Sequence, residues 1–142
     1  MTAFRALVVV WISITVSLSA AAQPVHSIEW RDGNSGKIND VAFRLAEIDA
    51  PENGPVGSLT GAKCDKERSS GRLAKDWVVA CTPGKSLVIT GRDPTHDDFG
   101  KVVLTLPVNG KDLGDLSVAA RRYRPYIFDN GKSKFSKPLC CG

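Results

Sequence analysis

Apolar residues recur along this chain with three kinds of spacing, and each predicts a different element. The first is an unbroken run at the N-terminus, where Ala6 to Leu18 is apolar apart from Ser13, Thr15 and Ser17. Arg5 precedes it and Ala20-Ala21-Ala22 follows. A basic start, a short apolar run and a small-residue end are the parts of a cleavable secretory signal. The run of roughly 13 residues falls short of the roughly 20 that span a bilayer. Residues 1–22 are therefore expected to be removed, with the cut before Gln23, and the protein to be secreted or periplasmic.

The second spacing is alternation. Val25 to Arg31 is compatible with a strand, and Asp32-Gly33-Asn34-Ser35-Gly36 reads as a tight turn. In the next strand Val41, Phe43 and Leu45 alternate with Ala42, Arg44 and Ala46, which puts Arg44 on the face opposite the apolar set. Pro51 ends that run because it lacks a backbone donor and holds Ala50 extended, so Asp49 and Glu52 flank a chain corner. Residues 53–62, rich in Gly, Pro, Ser and Thr, form a loop. Further on, Leu87 and Ile89 mark a third strand. Val102, Leu104, Leu106 and Val108 mark another that closes at an Asn109-Gly110 turn.

The third spacing is helical. Between about residues 66 and 81, Leu73, Ala74, Trp77, Val78 and Cys81 fall on one stripe, and Pro83-Gly84 stops the run. A short helix is expected over 112–120. Beyond Tyr123 the chain is polar and carries Pro125 and Pro138, which predicts a surface tail over about 124–142. Short strands with one helix among them and another near the end predict a mainly β protein with helices, an α+β fold built on a small, partly open barrel.

Composition narrows this picture. The 142 residues, less the signal, suffice for one domain over 23–142 and not two. The formal net charge of +4, one unit lower without Arg5, suits an anionic partner such as nucleic acid, although no long basic run occurs. Cys64, Cys81, Cys140 and Cys141 show no zinc-ligand spacing, and His26 and His96 stand apart, so disulfides are expected in an exported chain. A helix rises about 1.5 Å per residue, which would hold Cys64 and Cys81 beyond the roughly 7 Å limit for bridged Cα atoms. Cys140 or Cys141 on the tail reaches Cys64 more easily, unless Gly71 shortens the helix and lets the preceding loop fold back.

Four stretches carry the candidate chemistry, in this order: Asp32-Gly33-Asn34-Ser35, then Phe43-Arg44-Leu45 running into Ile48-Asp49-Ala50-Pro51-Glu52, then Gly61-Ala62-Lys63-Cys64 with Glu67 and Gly71, then Asp98-Phe99-Gly100-Lys101. In order and spacing they resemble the thermonuclease family, the staphylococcal-nuclease-like domains, over roughly residues 25–126. The resemblance implies a five-stranded OB-type barrel with two to three helices and a calcium-dependent endonuclease acting on DNA or RNA phosphodiesters. It matches Asp49 to the family's calcium carboxylate and the Ala50 carbonyl to the neighbouring oxygen ligand. Glu52 matches the acid that orients or deprotonates the attacking water, and Arg44 matches one of two phosphate-clamping arginines. Related exported chains often end in a motif like Lys137-Pro-x-x-Cys141.

These residue types suit the chemistry. Calcium takes six to eight oxygen donors, a carboxylate can activate water, and a guanidinium holds two phosphoryl oxygens at once. Two positions depart from the family pattern. Asn34 stands where a second calcium carboxylate is expected, which weakens the metal site, and Lys101 stands where the second arginine is expected, which keeps charge but loses the fork.

Each residue also has a plainer reading. Asp49 can be a solvated corner residue, Arg44 a structural partner of Glu47 or Glu52, Lys101 a surface charge, and Tyr126 either a base-stacking ring or core. The leading expectation is an exported, monomeric nuclease with a weakened calcium site and no stable membrane association once the signal is removed. Its rivals are an inactive OB-fold module that binds nucleic acid or another anion, and a structural protein of the envelope.

Overall fold

The computed structural model describes residues 23–83, 87–97, 99–125, 128–129, 132–133 and 141. The segment 1–22, Asp98, Tyr126 and Cys140 lie outside that set, as does the signal expected at the N-terminus. Strands β1 (Gln23–Pro24), β2 (Ile28–Trp30), β3 (Ser35–Ile38), β4 (Val41–Leu45) and β5 (Ile48–Asp49) lead into helix α1 (Asp65–Cys81). Strands β6 (Val88–Ile89), β7 (Gly91–His96), β8 (Val102–Thr105), β9 (Pro107–Val108) and β10 (Lys111–Asp112) precede helix α2 (Leu113–Ala119). Short strands β11 (Arg124–Pro125), β12 (Phe128–Asp129) and β13 (Lys132–Ser133) follow.

The fold is mixed α+β, with two helices among the described residues. Its main sheet runs β2-β3-β4-β8-β7, antiparallel except where β4 and β8 lie parallel, with Phe43 opposite Val102 and Arg44 opposite Val103. Four two-stranded ladders, β1 with β6, β9 with β10, β5 with β11 and β12 with β13, complete the pairing. Among the described residues the sheets do not merge into one closed barrel.

Alternation decides which face of the sheet is buried. Phe43, Leu45, Leu104 and Leu106 are fully buried, joined by Val78 of α1 and Leu113 of α2. Trp30 meets Phe43 edge to face with ring centroids 5.3 Å apart, and its indole N–H donates to the Thr82 hydroxyl at the end of α1. Arg44 thus falls on the other face, as its register implied.

Two expectations need correction. The turn after β2 is shorter than Asp32 to Gly36, because Ser35 and Gly36 already belong to β3. Gly36 fits there because any side chain would run into the Glu29 carbonyl of the next strand. The β3–β4 hairpin closes at Asn39-Asp40, both with positive φ (47° and 64°), the conformation that a two-residue hairpin requires. Leu73 leaves the apolar stripe of α1 and is 56% exposed, while Gly71, Ala74 and Val78 are buried. At the start of the tail β11 pairs with β5, Arg124 opposite Asp49.

Local chemistry sets the helix ends. Cys64 caps α1 by accepting from the Glu67 N–H, while the Glu67 carboxylate accepts from the Lys63 N–H at 2.7 Å, a reciprocal cap of the capping-box type. The Asp112 carboxylate caps α2 by accepting from the Asp115 N–H. Cys64 is bridged to Cys141, with Cα atoms 5.8 Å apart. The bond therefore runs to the tail rather than along α1 to Cys81. Among the described residues no helix is long and apolar enough to cross a membrane.

Candidate functional site

The outer face of the main sheet opens into a cleft of about 460 Å³. Asn34, Arg44, Asp49, Glu52 and Lys101 line it together with Arg31, Asp32, Ser35, Leu59, Thr60 and Phe99. Five of the six residues singled out from sequence are thus brought to one place from separate segments. The sixth, Ala50, is buried behind the wall, where its side chain closes on Gly33.

Asp32 builds the first wall. Its Oδ1 accepts from the backbone N–H groups of Asn34 (3.1 Å) and Ser35 (2.7 Å), and its Oδ2 accepts from the Ser35 hydroxyl (2.6 Å). Arg31 adds Nε and Nη2 to the same Oδ2 at 3.2 and 3.1 Å. A carboxylate that accepts this many donors holds the turn as a rigid unit. Behind it the Tyr123 hydroxyl lies 2.8 Å from the Gly33 carbonyl oxygen and 2.9 Å from that of Ala74, so it ties the turn to α1. Burial, and secondarily the charge of Asp32, pushes the Tyr123 hydroxyl well above its ordinary pKa. Neither Asp32 nor Tyr123 was singled out from sequence. A lone tyrosine carries no periodic signal, and an Asp in an Asp-Gly turn looks like ordinary turn chemistry.

The second wall is the β4–β5 corner. Asn34 Nδ2 donates to the Ile48 carbonyl at 3.2 Å, and Arg44 Nη2 approaches the same oxygen at 3.5 Å. Arg44 Nη2 also stands 3.8 Å from Asp49 Oδ1, both side chains being largely buried. Arg44 therefore faces Asp49, a carboxylate that the expected pairing with Glu47 or Glu52 leaves out. Glu47 itself is exposed and holds a positive φ of 55° at the bend that turns β5 back.

Glu52 owes its place to Gly71. A Cβ at Gly71 would stand 2.5 Å from the Glu52 carbonyl oxygen and 2.7 Å from that of Pro51, so only glycine lets α1 press against the corner. The third wall is the hairpin between β7 and β8. Asp97 Oδ1 accepts from the N–H groups of Phe99 (3.0 Å) and Lys101 (2.8 Å). This displays Phe99, 75% exposed, at the mouth, with Lys101 Nζ 5.6 Å from its ring centroid.

The lining balances three cations, Arg31, Arg44 and Lys101, against three carboxylates, Asp32, Asp49 and Glu52. Asp32 is committed to its turn. Among the described residues no group of three or more His, Cys, Asp or Glu side chains converges on a metal position. Of the oxygen donors that the resemblance implies for calcium, the Asp49 carboxylate and the Asn34 side chain line the cleft and Ala50 does not, so the lining offers a hard cation little charge. With Asn34 Nδ2 bound to Ile48, the amide oxygen is the end of that side chain left with acceptor capacity. No protein-family model matches the chain, and no curated protein matches it either.

Proposed function

We propose that this chain is an exported, monomeric nuclease of the thermonuclease type, acting on DNA or RNA phosphodiesters through a weakened calcium site. The observation that carries this reading is the convergence of Asn34, Arg44, Asp49, Glu52 and Lys101 on one cleft. An OB-type barrel as its scaffold is supported by the strand order β2-β3-β4-β8-β7 with its single parallel pair. The β1–β6 ladder adds to this, since it brings the segments just before β2 and β7, the two edge strands, side by side. A disulfide suits an oxidising compartment, in keeping with export.

In this reading Arg44 grips the phosphate oxygens and Lys101 adds a point charge beside them. Glu52 orients the attacking water and accepts its proton. Asn34, Asp49 and the Ala50 carbonyl would hold calcium, which when bound neutralises charge building on the phosphoryl group. A second reading is favoured by one detail. The lining carries Asn34 and Lys101 where the family pattern has a carboxylate and an arginine, as suits a module that binds a polyanion without cutting it.

Purified protein starting at Gln23 separates the two. Slow loss of single-stranded DNA that needs calcium, stops with chelator and vanishes in Glu52→Ala supports the nuclease. Retained binding with no cleavage at any calcium concentration supports the module.

A further inference from the structure

Lys101 leaves the cleft one guanidinium short of the family's pair, but a second arginine already stands on the same face. Arg31 follows β2 directly, its N–H donates to the Ser35 carbonyl at the start of β3, and Ser35 is the register partner of Arg44 on β4. Arg31, Ser35 and Arg44 therefore lie side by side across three neighbouring strands. The backbones carrying the two arginines are two strand spacings apart, about 10 Å. On the far side β8 continues the row, because Val103 is opposite Arg44 and Lys101, two residues earlier, points to the same side.

The three cations differ in setting. Arg44 is mostly buried, whereas the Arg31 side chain is 67% exposed. Asp32 and the Ser35 hydroxyl hold Arg31 by Nε and Nη2. Its Nη1 has no partner among the described residues. An exposed guanidinium with one edge fixed and the other unengaged is oriented before any ligand arrives, which lowers the ordering cost of binding.

Resting on the reading of the cleft as a phosphodiester site, we infer that Arg31 binds the phosphate next to the one held by Arg44. The preferred ligand is then a single-stranded nucleic acid with consecutive phosphates rather than a lone phosphate or a mononucleotide. Arg31 and Lys101 flank Arg44 and follow the backbone, and exposed Leu59 and Phe99 at the mouth offer apolar faces to unstacked bases.

The test is equilibrium binding of a fluorescent oligothymidylate in chelator, so that no cleavage intervenes, measured over a range of salt. Each phosphate contact to a single strand contributes about 0.7 to the slope of log affinity against log salt. Arg31→Ala and Arg31→Gln are expected to lower the slope by about 0.7 and the low-salt affinity on the order of tenfold, for any base sequence. Arg31→Lys keeps the slope. Glutamine retains a donor toward Asp32, so it serves if the alanine variant does not fold. Competition by inorganic phosphate should be weak and indifferent to Arg31. If both uncharged variants keep the wild-type slope while Arg44→Ala loses it, Arg31 only braces the turn and the inference fails with the phosphodiester reading intact. If the wild type binds no oligonucleotide, or binds it independently of Arg44, both fall.

Discussion

The two ends of the cleft are built on opposite terms. At the Asp32–Ser35 turn the side chains are buried and each carboxylate oxygen has donors, with Tyr123 pinning the turn from behind. At the Phe99–Lys101 hairpin the ring stands in solvent and the fixed contacts are made by backbone N–H groups to Asp97. Buried, satisfied networks make a site rigid and are costly to break, whereas exposed side chains change stability little and are free to meet a ligand. Stability should therefore track the turn, and ligand contact the hairpin.

Asp32→Ala tests the rigid end most severely. It leaves two backbone N–H groups and Arg31 without their acceptor, and hydrogen bonds to a charged group are worth about 1.5–3 kcal/mol each. A loss of about 3 kcal/mol is expected in denaturant unfolding, together with loss of ligand binding as Asn34 and Arg31 lose their anchor. A loss under about 0.5 kcal/mol, the range of an ordinary surface change, would show that the turn holds itself.

Tyr123→Phe comes next, at about 1–2 kcal/mol, since it strips a hydroxyl from the carbonyls of Gly33 and Ala74. It also carries a pH signature. The buried hydroxyl holds its proton above the ordinary tyrosine pKa of about 10. The stability tied to that proton is fully present below about pH 10 and is lost as pH rises toward the higher folded value, where only the unfolded chain ionises. Thermal melts from pH 9 upward should show the wild type falling more steeply than Tyr123→Phe, and parallel curves would remove Tyr123 from this role.

The smallest effect on stability belongs to the open end. Phe99→Ala and Leu59→Ala should stay within about 0.5 kcal/mol of wild type in melts. Phe99→Ala should nevertheless weaken oligonucleotide binding by about 1–3 kcal/mol, the range for one stacked base. A variant that melts early but binds normally would invert the contrast between the two ends.

The same contrast explains what could be read from the sequence. Helix α1 was visible to within a residue because Ala74 and Val78 repeat at helical spacing, and Asn109-Gly110 announced its own turn, with φ of 53° and 76°. Strand β3 was not visible, because Ser35-Gly36-Lys37-Ile38 offers one large apolar residue and its pairing rests on a glycine that a neighbouring strand demands. Strand β7, Gly91 to His96, is polar throughout and accommodates Pro94 where its register with β8 shifts. In the cleft, Arg44, Asp49 and Glu52 stood out through the resemblance their stretch carries. Arg31 and Asp32 pair within their own turn and so look like ordinary turn chemistry, whereas Tyr123 matters through Gly33 and Ala74, partners distant in sequence that periodicity cannot reveal.

The measurement that bears most directly on the nuclease reading is calcium-dependent cleavage of single-stranded DNA by the double variant Asn34→Asp, Lys101→Arg beside the wild type. A carboxylate at position 34 returns a charged calcium ligand, and a guanidinium at 101 restores two-point contact with the phosphate. Without calcium the new carboxylate would face the Ile48 carbonyl that Asn34 Nδ2 now satisfies, so the variant should melt lower in chelator than the wild type and gain more from calcium. The expected result is cleavage faster than wild type and faster than either single change, abolished by adding Glu52→Ala. A double variant that gains calcium-dependent stability yet cuts no faster than the wild type would contradict the active-site assignment and leave the cleft as a binding site.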